Sequence, residues 1–308
     1  MEINKFKNYI ILAQEFKDEE EYDKSFEMYK KAESFASSQD DIIDVKFEMA
    51  DLYILELDHE KALNIYDEII KMDTSQSGAY YGYALSNELS GGDLNTSISY
   101  YEKAIELDPF YDRAYYYASV LYDEIGNTEK ALKYLEKCIE LDPFDYIAYN
   151  DIGSIYENKK EYEKALKYLE KSVEINSEYS LSLFNLGVVH NGIGNPEKAL
   201  DFYYKALEYN TNQYIYLNIS AIYIERKEYE KSIEILTEGI EYNPNSVILY
   251  YNRSCSYSKI GDMVNAEIDF VNAYECDNRA LSWAIDDPDI KDLNEVIKRS
   301  EEYDNNKN

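Results

Sequence analysis

The chain has 308 residues, with 62 acidic against 31 basic side chains and a formal charge of −31. So negative a field repels phosphate backbones and anionic bilayer surfaces, which excludes nucleic acid and membrane as expected partners and favours a basic protein or peptide. Apolar residues make up 45% of the sequence, enough for a continuous core, yet no run approaches the roughly 18 apolar residues of a membrane helix.

The opening stretch, MEINKFKNYIILAQEF, has a short apolar run followed by acidic residues and no small-residue cleavage site. It does not read as a signal peptide, and a cytoplasmic location is expected. From about residue 6 onward, a unit of roughly 34 residues is written eight times. A small residue in the second half of each unit marks the register: Ser25, Ala62, Ser97, Ala131, Ala165, Ala199, Ser232 and Ala266, at intervals of 33 to 37 residues. The units fall at about 6–39, 43–76, 77–111, 112–145, 146–179, 180–212, 213–246 and 247–280. Self-similarity of this kind predicts a stacked solenoid over residues 1–280 instead of one globular core.

The fourth unit shows what each one encodes. Apolar residues recur at helical spacing through Tyr115, Ala118, Leu121, Tyr122 and Ile125, and Gly126 then stops the helix. A second amphipathic run follows Asn127 and Thr128, passes through Ala131, Leu135 and Cys138, and ends at Asp142 and Pro143. Each unit is therefore a hairpin of two helices, A and B. Pro196 stands at a first helical position, where its missing N–H costs nothing. Pro109, Pro143 and Pro244 close B helices, because proline cannot continue them.

Past residue 280 the pattern changes. Leu281, Trp283 and Ile285 precede Asp287, Pro288 and Asp289, and Ile290, Leu293, Val296 and Ile297 form one apolar stripe on a polar helix. Capping helices are expected over 281–303, with Trp283 packed beneath them and a frayed tail at 304–308, because the last hairpin would otherwise expose an apolar face.

The slots that carry this pattern resemble the tetratricopeptide repeat: an early aromatic in helix A, a small residue, then Ala, a large apolar residue and Ala in helix B, and a closing Pro. The aromatic is Tyr9, Tyr80, Tyr115, Tyr149, Tyr216 and Tyr250, and the small slot holds Ala13, Ala50, Ala84, Ser119, Gly153, Gly187, Ser220 and Ser254. Gly239 departs from the pattern in an Ala slot and Asn87 in an aromatic one. The resemblance covers residues 6 to 280 and implies an all-α, right-handed α-solenoid whose concave wall is lined by A helices. On that wall, units two to five offer Asp44, Glu48, Asp51, Glu88, Asp123, Glu124, Asp151 and Glu157, with Arg113 the main basic exception. Units six to eight instead offer Asn185, Asn218 and Asn252 beside Phe184, Leu217 and Tyr251.

The three asparagines share one slot, which Asp151 fills in the fifth unit. An amide both donates and accepts, so a row of amides at repeat spacing can pair with the backbone of an extended peptide. The row is similar to the asparagine ladder of O-linked N-acetylglucosamine transferases. The alternative is that each amide bonds locally. The implied function is a non-enzymatic scaffold binding an extended, basic segment, with a cytoplasmic peptide-sensing regulator as the alternative. A monomer is expected.

No phosphate loop, nucleophile elbow or HExxH motif occurs, and no catalytic residue, cofactor or metal is expected. Cys138, Cys255 and Cys276 are too widely spaced for a metal knuckle or redox pair, and His59 and His190 lie in different units. Most of the 35 tyrosines fill repeat slots and are read as core.

Overall fold

The computed structural model describes residues 2–285, 287–290 and 293. Among these the chain is all-helical, with seventeen helices. Sixteen form hairpins in chain order: α1 (Glu2–Asp18) with α2 (Tyr22–Glu33), α3 (Gln39–Leu55) with α4 (His59–Met72), α5 (Ser77–Leu89) with α6 (Leu94–Leu107), and α7 (Asp112–Glu124) with α8 (Thr128–Leu141). Next come α9 (Tyr146–Asn158) with α10 (Tyr162–Ile175), α11 (Ser180–Gly192) with α12 (Pro196–Leu207), α13 (Gln213–Glu225) with α14 (Tyr229–Tyr242), and α15 (Val247–Lys259) with α16 (Met263–Cys276). The short α17 (Arg279–Ala284) follows.

Every turn inside a hairpin uses one residue with positive φ: Gly91, Gly126, Gly194 and Gly261, and in the other four Glu20, Leu57, Lys160 and Lys227. At Gly126, φ is +79°, a left-handed conformation that a Cβ makes costly, so this glycine ends α7 as its sequence position predicts. Asn127 then caps α8 by accepting from the Lys130 N–H at 3.3 Å. Helices of 12 to 17 residues are marginal in water on their own, so packing between neighbours must hold them.

The chain divides into two compact units, residues 1–148 and 149–308. In the first, Tyr29, Val45, Met49 and Leu52 form one core cluster, and Ile43, Ala50, Tyr66 and Ile69 form the next. In the second, Leu183, Tyr203, Tyr216, Ile219, Leu236 and Leu249 share one cluster. Burying each such side chain contributes about 1.5–3 kcal/mol. The small slot does what its size suggests. A Cβ added at Gly187 would lie 2.4 Å from the Tyr203 ring, so only glycine admits that tyrosine fully buried.

At the end of the second unit, Leu281, Ala284, Ile290 and Leu293 are buried with Tyr251, Phe270 and Ala273. Trp283 meets Tyr251 edge-on with ring centroids 5.4 Å apart and is 39% exposed. Most of the expected capping region at 281–303, and all of the tail at 304–308, lie outside the described residues.

Candidate functional site

In the first unit, the B helices send tyrosine hydroxyls to carboxylates on A helices. Tyr29 donates to Glu48 at 3.0 Å, Tyr66 to Asp51 at 3.4 Å and Tyr101 to Glu88 at 3.2 Å. Their rings are core, as the repeat slots imply, but their polar tips face the carboxylates, which the sequence reading missed. Lys17 also reaches Glu48, at 3.2 Å. Asp51 is exposed on the helix surface, yet the side chains around it desolvate its carboxyl and raise it above the ordinary range, against the pull of the Lys17 cation. Glu88 is raised for the same first reason, against the hydrogen bond from Tyr101. Among the described residues, Glu48 has a cation within ion-pair distance, Lys17, and Asp51 and Glu88 have none. Asp123, near the end of α7, is exposed.

In the second unit, Asp151 is half-buried and accepts from the Asn150 Nδ2 at 3.0 Å. Asn150 itself is 1% exposed, and its Oδ1 accepts from Asn185 Nδ2 and from Ser182 Oγ, each at 3.0 Å. Asn218 donates to the Tyr214 carbonyl and Asn252 to the Ile248 carbonyl, both at 2.8 Å, while Tyr203 approaches Asn218 Oδ1 at 3.4 Å. All three amides of the row thus spend one N–H locally, which fixes their orientation. Among the described residues, the Oδ1 atoms of Asn185 and Asn252 receive no protein donor.

Phe184 is half-buried against the Tyr203 ring, Leu217 packs on the same core, and Glu157 is half-buried on α9. Tyr251 behaves differently: it is 7% exposed and donates to Asp287 at 2.7 Å, so the chain's own C-terminal segment covers it and little is left for a ligand.

Two clefts lie where an A helix and the next one begin. One, of about 240 Å³, lies between the starts of α7 and α9 and includes Asp112, Arg113, Asp142, Phe144 and Asp145. The other, of about 580 Å³, lies between the starts of α11 and α13 and includes Leu181, Phe184, Asn210, Asn212, Tyr214 and Asn218. Phe184 and Asn218 come from the sequence reading. Arg113 does too; Leu181 and Tyr214 stand in the first turns of α11 and α13, and Asn210 and Asn212 in the loop before α13, where no wall position was assigned from the repeat slots. No group of three His, Cys, Asp or Glu among the described residues is arranged to hold a metal, and no described helix is long and apolar enough to cross a membrane.

Two models of the tetratricopeptide repeat match the sequence, one over residues 145–212 and the other over 77–111, 112–145 and 214–246, together more than half of the chain. The chain belongs to the tetratricopeptide-repeat family. Solved structures agree on the fold, an α-solenoid of tetratricopeptide hairpins. YrrB, described as a tetratricopeptide protein with an unusual peptide-binding site, is 22% identical, with a TM-score of 0.51 over 61% of this chain and 94% of its own. MamA from Desulfovibrio magneticus RS-1 is 20% identical, with a TM-score of 0.51 over 56% of this chain and 96% of its own. Cut9, in the APC/C hetero-tetramer Cut9–Hcn1, is 14% identical, with a TM-score of 0.59 over 91% of this chain and 52% of the other. No curated protein matches the sequence. Tetratricopeptide proteins are generally non-catalytic interaction modules, and this chain has the fold of a protein-interaction scaffold.

Proposed function

We propose that this tetratricopeptide protein is a non-enzymatic scaffold that holds an extended, basic peptide segment against its A helices. The observation that carries the reading is the set Glu48 and Asp51 on α3 and Glu88 on α5, three carboxylates on two successive A helices of the first unit, each accepting from a tyrosine hydroxyl. A lysine or arginine meeting them would relieve the mutual repulsion of Glu48 and Asp51, and a charge of −31 would speed the encounter. The oriented amides of Asn185, Asn218 and Asn252 serve peptide backbone in the same reading, since each retains a second N–H after its local bond. The reading includes a monomer working in the cytoplasm, without cofactor or catalytic residue.

A fluorescent decapeptide of alternating Lys and Ser, titrated by anisotropy beside its Glu counterpart, tests this. The Lys peptide should bind at low salt and weaken by about tenfold or more in Glu48→Gln/Asp51→Asn/Glu88→Gln, since each exposed pair contributes a few tenths of a kcal/mol to about 1 kcal/mol. Equal binding by the triple variant would remove the carboxylate face from the account. An Asn185→Ala/Asn218→Ala/Asn252→Ala variant with unchanged affinity would remove the amide row alone.

A further inference from the structure

The two clefts occupy one register of the repeat, and their chemistry differs position by position. Where the cleft of the first unit has Asp112, Arg113, Asp142 and Asp145, the cleft of the second has Ser180, Leu181, Asn210 and Asn212. Asp151, in the Asn218 slot, follows the same rule. Every charge in the one is replaced by a neutral group in the other. The fold does not impose this, because Arg113 stands where Leu181 does in an otherwise equivalent hairpin. In a chain with 30% charged residues, the larger cleft is lined by none.

Its apolar floor is open. Leu181 is 44% and Tyr214 52% exposed, with Phe184 and Ile215 behind them. Its polar edge is fixed in place. Asn210 Oδ1 accepts from the Asn212 N–H and Asn212 Oδ1 from the Tyr214 N–H, both at 2.9 Å. The two amide nitrogens are thereby held at the rim, and among the described residues neither has a protein acceptor. Apolar walls with a few oriented donors and a volume of about 580 Å³ are the composition of a ligand site.

We infer that the cleft between α11 and α13 takes an uncharged, branched aliphatic or aromatic side chain of the bound peptide, with flanking peptide carbonyls accepting from Asn210 and Asn212. This rests on the peptide-scaffold reading and adds to it that the partner segment carries a neutral apolar anchor. Charge complementarity selects that occupant. A charged side chain would lose its hydration here and meet no counter-ion.

The probes are Ac-Gly-Gly-X-Gly-Gly-NH2 peptides with X as Leu, Phe, Lys or Glu, titrated into the full chain at high salt, which screens the acidic face. The readout is the side-chain amide NMR resonances of Asn210 and Asn212. Saturable shifts with the Leu and Phe peptides are expected, at affinities about tenfold or more above those of the Lys and Glu peptides. Leu181→Glu and Asn212→Asp should each weaken the Leu peptide by about tenfold. Both sites are exposed, and Asp can replace Asn212 as a helix cap, so the melting temperature should hold.

Absent shifts, equal affinity for all four peptides, or variants that bind like the parent would overturn the inference. So would a concentration-dependent dimer that Leu181→Glu abolishes, since a second copy would then fill the cleft. If the Lys decapeptide binds the carboxylate face while the Leu probe fails here, only the anchor is lost. The reverse result keeps the anchor and removes the basic segment.

Discussion

The cleft at the start of α7 and α9 and the cleft at the start of α11 and α13 are built by the same turn of the same repeat, yet one is charged and the other neutral. The units that contain them differ in the same sense. Tyr29, Tyr66 and Tyr101 of the first set their hydroxyls against A-helix carboxylates. The second adds to tyrosine–carboxylate pairs of its own, Tyr216 with Glu238 and Tyr251 with Asp287, a row of A-helix amides bonded to backbone carbonyls and to one another. A tetratricopeptide scaffold fixes where side chains stand through its buried slots and leaves their polarity free at the helix starts and polar tips. Specificity can therefore change along the array at little cost in stability.

Buried charge offers the hardest test of that contrast. In the second unit, Arg253 donates through Nε and one terminal nitrogen to Asp269, at 2.6 and 2.8 Å, and Asp269 is 2% exposed. Arg253→Ala should cost about 3–5 kcal/mol in urea unfolding, because it strands that carboxylate. A loss under about 1 kcal/mol would mean that water reaches Asp269 and that the second unit handles charge as the exposed face of the first does.

Acid should separate the two faces next. Desolvation raises Asp51 and Glu88, so they take up protons at a higher pH than ordinary carboxyls. A bound cation favours the ionised form, and Lys-peptide affinity should therefore fall, by about tenfold, as pH drops through that raised range. The Leu probe at the neutral cleft should not respond. Parallel pH profiles for the two peptides would erase the distinction.

A smaller effect is expected from the hydroxyls. Tyr101→Phe takes the donor from half-buried Glu88 and should cost about 1 kcal/mol. The matching Tyr203→Phe loses only a 3.4 Å contact to Asn218 and should cost less than about 0.5 kcal/mol by the same thermal or urea assay.

The smallest effect belongs to His190, stacked on Phe202 with its Nδ1 buried and, among the described residues, without a hydrogen-bond partner. Burial lowers its pKa from 6.5, with the Lys198 charge adding to the shift and Glu170 opposing it. The stability of the neutral form is fully present above that unfolded value and is lost as pH falls through the folded one. His190→Phe keeps the stacked ring, and its melting temperature should depend less on pH below about 6.5 than the parent's. An unchanged slope would show that His190 is solvated.

Much of this was legible in residue order. Gly126, Asn127, Pro196 and Pro143 announced where helices begin and end, because φ, the missing N–H and the capping oxygen are local properties. The small slot announced close packing, and Gly187 against Tyr203 bears it out. The spread of carboxylates over units two to five was equally plain.

Distances between side chains were not legible. That Tyr29, Tyr66 and Tyr101 lend hydroxyls to carboxylates depends on how one hairpin rotates against the next. That Asn185 is tied to buried Asn150 depends on the approach of α9 and α11. Tyr251 looked like a wall residue from its slot and is instead covered by residues more than thirty positions later. Periodicity alone determined that this chain is an array of helical hairpins, since 3.6-residue spacing and turn chemistry act within a few residues. Which polar tips pair and where a neutral cleft opens was decided only by packing between hairpins, because those contacts join residues whose spacing in sequence carries no signal.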